Sequence, residues 1–79
     1  MITVLRARGL RIVIFVDDHE PAHVHVFGDG HAKINLLGPN SAPELVWAEG
    51  LKRNEIRRAF EIVTENQAML LRRWREIHG

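Results

Sequence analysis

The turn Gly28-Asp29-Gly30, with an alternating segment on each side, constrains this chain more than any other stretch. Ala22 to Phe27 and His31 to Leu37 alternate apolar with polar residues, the period of a half-buried strand. A two-residue Asp29-Gly30 turn would pair Val26 with Lys33 and His25 with Ile34, mixing the two faces. A three-residue turn pairs Val26 with Ala32, Val24 with Ile34 and Ala22 with Leu36, so one face stays apolar. A glycine closing such a loop suits a left-handed position. The same register sends His23, His25, His31, Lys33 and Asn35 together to the opposite face.

The remaining segments fit around this hairpin. Ile2 to Leu5 reads as a first strand or strand-like arm, with a turn at Gly9. Leu10 to Asp17 alternates and carries Val13 and Phe15 on its second face, so it reads as a strand covered on both sides. Gly38 to Pro43 is rich in breakers and reads as a loop. Glu44 to Ala48 reads as a last short strand with Leu45 and Trp47 on a shared face. From about Leu51 the period becomes helical. Ile56, Phe60, Val63, Gln67, Leu70, Trp74 and Ile77 form the expected stripe, the helix starting near Asn54 or the Glu49-Gly50 region. About 25 residues is long for one helix on so small a sheet, so a break at Asn66 is the alternative to a continuous helix. The expected fold is α+β: a small antiparallel sheet of three to five strands, packed against a C-terminal helix that is continuous or broken near Asn66.

With 79 residues and no cysteine, neither disulfides nor thiolate-bound zinc can compensate for a small core. Packing, oligomerisation or a metal held by histidine and carboxylate must do so. A net charge of +1 gives no global signature of nucleic-acid or membrane binding. No apolar run approaches the roughly 20 residues of a membrane span, and Arg6 comes too early for a signal peptide. One domain over residues 1–79, soluble and cytoplasmic, is the expectation.

Chemistry concentrates in Asp17-Asp18-His19-Glu20-Pro21-Ala22-His23-Val24-His25-Val26, which holds three of the five histidines. His23 and His25 leave the same face of a strand. The run His19 to Val26, the glycine-centred turn and Ala32-Lys33-Ile34 resemble the bacterial family called domain of unknown function 4160. That family's hallmark is a His-x-Pro-Pro-His-x-His-Val segment after a strand, with a tryptophan near the end of a C-terminal helix. Leu10 to Trp74 carries the likeness; Ala22 replaces the usual second proline, and His31 stands where many relatives have an acidic or polar residue. The resemblance implies a component of a toxin–antitoxin-like pair, acting with a small partner protein encoded nearby.

Three readings of the histidine face follow. In the first, His23 and His25 act as general base and acid in a metal-independent ribonuclease that needs no cofactor, with Lys33 stabilising charge on the phosphate. In the second, His19, His23 and His25, with Asp17 or Asp18, bind a divalent transition metal such as zinc. In the third, the half-apolar face that also carries Phe27 is an interface with a partner or a second copy, and His19 merely orders its loop. The arginines crowded among glutamates in the C-terminal segment read as a solvated face, with pairs such as Arg57–Glu61 and Arg72–Glu76. RNA contact through Arg53, Arg57 and Arg58 is the lesser reading there. His78 reads as a frayed helix end.

Overall fold

The computed structural model describes residues 1–79. Five antiparallel strands form one meander in the order β1-β2-β3-β4-β5, followed by two helices. The strands are β1 (Ile2–Ala7), β2 (Leu10–Ile14), β3 (His23–Phe27), β4 (His31–Asn35) and β5 (Glu44–Glu49). The helices are α1 (Arg53–Glu65) and α2 (Gln67–His78), so the helical region is broken at Asn66. Asn66 leaves helical geometry at φ −115° and ψ 16°, and its backbone and side-chain N–H groups both donate to the Ile62 carbonyl.

The central hairpin has the three-residue register: His23 faces Asn35, Val24 faces Ile34, His25 faces Lys33, Val26 faces Ala32 and Phe27 faces His31. The reason for a glycine at its end differs from expectation. Gly30 is not left-handed. It is required by space, because a Cβ there would run into the backbone of Glu49 and Gly50. The left-handed turn lies instead at Arg8-Gly9, where φ values of 51° and 78° make the two-residue hairpin that right-twisted strands prefer.

Leu10, Ile12, Ile14, Val24, Val26, Ile34 and Leu36 form the core face of the sheet. They pack against Ala59, Ile62 and Val63 of α1 and Leu70 and Trp74 of α2. The buried stripe of α1 is therefore one position off the expected one: Ile56 and Phe60 are only partly buried, and Glu55 and Ala59 lie inside. A carboxylate holds that inward place because Glu55 Oε1 accepts the Lys52 N–H at 2.9 Å, closing the first turn of α1. Gln67, expected in the apolar stripe, donates its amide to the carbonyls of Leu36 (2.6 Å) and Ser41 (2.9 Å) and so pins the loop between β4 and β5.

Two irregularities adjust the outer strands. One between Thr3 and Leu5 makes Val4 the extra residue of β1. The other lies in β5 opposite Lys33 and Ile34. Leu45 there faces Ile34 while Trp47 faces Lys33, so Val46 is the extra residue. Leu45 and Trp47 consequently lie on opposite faces of the sheet, not on a shared one. The expected helical ion pairs are also replaced: Glu61 pairs with Arg8 at 2.9 Å, and Glu76 with Arg73 at 3.1 Å.

Gly9 and Gly30 separate two glycine roles. Space is open around Gly9, so Gly9→Ala should cost only the left-handed strain, about 1–2 kcal/mol. Gly30→Ala should cost several-fold more, because backbone must move to admit the methyl group. Urea denaturation of both variants beside wild type checks the order.

Candidate metal centre

The helices cover one face of the sheet, and no element covers the other. The uncovered face carries His23 and His25 from β3, His31, Lys33 and Asn35 from β4, and Trp47 from β5. Val13 lies opposite His25 on β2, and the Phe15 ring meets His25 edge-on at 4.6 Å. The Trp47 ring approaches His25 at 6.1 Å from the other side. Rings thus wall His25 in, and its side chain is 14% exposed.

The chain leaves β2 in a tight turn in which the Asp18 N–H donates to the Phe15 carbonyl at 3.1 Å. That turn folds Asp18 back over the histidines. Asp18 Oδ2 lies 3.0 Å from His23 Nε2 and 3.7 Å from His25 Nε2. The ligand atoms of Asp18, His23 and His25 all fall within 4.8 Å of one another. His23 is 3% exposed, and its Nδ1–H donates to the Pro21 carbonyl at 2.8 Å, across a segment with a cis Glu20–Pro21 bond. A neutral His23 ring held in that way turns the lone pair of Nε2 toward Asp18.

Two buried oxygens on this face lack partners. Asp18 Oδ2 accepts no hydrogen bond of usable geometry, and neither does Asn35 Oδ1, whose residue stands opposite His23. Buried acceptors left unpaired cost stability, so a lone-pair cluster of this kind calls for a cation, either a proton or a metal ion.

Burial pushes the His25 imidazole below its ordinary value of 6.5. The Asp18 carboxylate opposes that shift, while His23, Lys33 and His31 reinforce it. His25 is therefore held neutral at pH 7, the form that binds metal or accepts a proton.

Of the residues singled out from sequence, His23, His25 and Lys33 share this face, and His25 and Lys33 are direct neighbours across β3 and β4. His19 does not join them. It is exposed and lines a hollow of about 370 Å³ with Asp18, Glu20, Trp74, Arg75 and His78, which neither His23 nor His25 lines. Asp18 rather than His19 supplies the third converging group. Trp47 was not expected here, since only the extra residue Val46 turns it to this side. His78 is not frayed: it stacks on Trp74 at 3.9 Å, and its ring nitrogens face the carbonyls of Trp74 (2.9 Å) and Phe15 (3.2 Å). The Phe15 carbonyl thus serves both Asp18 and His78.

Fold and site together define a small α+β domain with an uncovered sheet face centred on an aspartate and two histidines. The model of the family described as "Domain of unknown function (DUF4160)" matches residues 9–75, and the chain belongs to that family. No curated protein and no solved structure matches the chain. None of its helices is long and apolar enough to cross a membrane.

The lowered His25 value has a consequence for stability. The unfolded chain takes up a proton near pH 6.5, whereas folded His25 resists it to lower pH. Its contribution is therefore complete above that value and is lost as pH falls through the window below it. In metal-stripped protein, His25→Gln should shrink the fall in urea midpoint between about pH 7 and pH 5, which denaturation at the two pH values measures.

Proposed function

We propose that the protein is a metal-binding module in which Asp18, His23 and His25 hold a divalent first-row transition ion, zinc being the first expectation. The observation that carries this reading is the buried, unpartnered Asp18 Oδ2 between two imidazole nitrogens. Zinc bonds of about 2.0–2.1 Å in tetrahedral geometry set ligand atoms roughly 3.3 Å apart. The separations of 3.0 and 3.7 Å bracket that value. The Pro21 carbonyl holding His23 Nδ1–H is the outer contact that fixes a ligating imidazole. Two nitrogens and one carboxylate oxygen suit zinc, nickel, iron or manganese, and leave positions for water or a substrate.

A second reading keeps the metal-independent ribonuclease, acting as the toxin-like member of a pair with a small partner protein. It is favoured by a neutral His25 opposite Lys33, a base beside a cation able to stabilise phosphate charge. Against it stands His23, which is 3% exposed with Nδ1–H tied to the Pro21 carbonyl and so is poorly placed to protonate a leaving group. The metal reading uses that burial; the ribonuclease reading must overcome it.

Elemental analysis of gently purified protein tests the choice. Wild type should carry near-stoichiometric metal, and Asp18→Ala, His23→Ala and His25→Ala should each lose it. His19→Ala should retain it. Metal-free wild type that cleaves RNA, with cleavage abolished in His25→Ala, would favour the ribonuclease instead.

A further inference from the structure

Along the uncovered face, beside the metal centre, runs a strip of cations and rings that the site does not use. Arg6 of β1 and Arg11 of β2 are direct cross-strand partners. Like charges placed directly opposite destabilise a sheet. No carboxylate relieves this pair, since the ion pairs of the chain involve Arg8, Arg73, His23 and His25 but neither Arg6 nor Arg11. Arg11 Nε is buried and without a hydrogen-bond partner. The Arg11 guanidinium stands over the Phe27 ring at 5.3 Å. Phe27 and His31 lie nearly parallel, 7° apart, and Trp47 meets His31 edge-on at 4.8 Å. All of these rings are only partly buried. The result is an arginine pair with one buried unmet donor, Arg11 Nε, next to ring surfaces on adjacent strands, with Lys33 beyond them.

We propose that this face, through Arg6, Arg11, Phe27, His31, Lys33 and Trp47, is a binding platform for single-stranded nucleic acid. Phosphate would satisfy the Arg6–Arg11 pair and relieve its repulsion. Bases stack on exposed aromatic rings whatever their sequence, which is how open sheets and grooves hold single strands. Arg11 and Val13 are two residues apart on β2, so the arginine pair sits about 7 Å along the sheet from the row of His25. A strand lying on the rings would pass both. Of the carboxylates on this face, Glu44 and Glu49 lie on the edge strand β5 and Asp18 lies over His23 and His25, and none pairs with Arg6 or Arg11. The platform does not depend on the metal reading.

Fluorescence anisotropy with labelled single strands of about twelve nucleotides, oligouridylate and oligothymidylate, tests it at low salt in the presence of EDTA. Chelation keeps the outcome separate from that of elemental analysis, so either idea can fail alone. At least one strand should bind, the tighter naming the preferred sugar, and a duplex of the same length should bind more weakly. The double variant Arg6→Gln, Arg11→Gln should reduce the salt dependence by about 1.4 log units per log unit of salt. Trp47→Leu should weaken binding about fivefold or more through lost stacking. Unchanged thermal melting of the variants shows that the fold persists. No binding to either strand, equal binding of duplex, or binding that neither variant alters would overturn the proposal.

Discussion

Everything in this small fold depends on the parity of one hairpin. Because side chains alternate along a strand, the length of the turn between β3 and β4 decides which face each residue of both strands occupies. Three turn residues put Val24, Val26, Ala32 and Ile34 under the helices and His23, His25, His31 and Lys33 on the open side. Moving the pairing by one residue would turn one strand over against the other, setting either His31 and Lys33 or His23 and His25 among the core side chains and exposing two aliphatic ones. The Gly28 N–H donating to the Gly30 carbonyl at 2.9 Å and the close approach of Gly50 to Gly30 lock the turn at that length. Core and site are thus two outcomes of one geometric choice.

That choice was legible in the sequence because it rests on a regular period. The apolar face and the pairing of His25 with Lys33 follow from alternation, and the structure has them; of the continuous and broken helices that the length of the helical run left open, it has the one broken at Asn66. What was not legible lies where the period is interrupted. The extra residue Val46 inverts the face of Trp47, and nothing in Glu44 to Glu49 marks it, since apolar side chains serve on either face there. In α1 both candidate stripes contain apolar residues. The structure takes the one through Glu55 because that carboxylate closes the first helical turn.

The third member of the site shows the same division. His23 and His25 follow from spacing two apart on a strand. Asp18 depends on a tight turn after β2, and the sequence reading put His19 in the third place with Asp17 or Asp18 as an addition. Backbone hydrogen bonding decides among them: the Asp18 N–H closes on Phe15, which returns its carboxylate over the sheet and leaves His19 exposed beyond the two imidazoles. Donor type and spacing reveal that a site exists. Loop closure selects its members.

The shared carbonyl of Phe15 joins parts of the molecule that lie on opposite sides of the sheet. One lone pair holds the turn that aims Asp18, and the other faces Nε2 of the imidazole at the end of α2, which donates to it in the Nε2–H tautomer. Fraying of the last helical turn therefore loosens the loop that presents the carboxylate, and a ligand that fixes the carboxylate tightens the helix end by the same free energy. The C-terminal turn of α2 is in this sense a tensioner for the site, reached through a single peptide group.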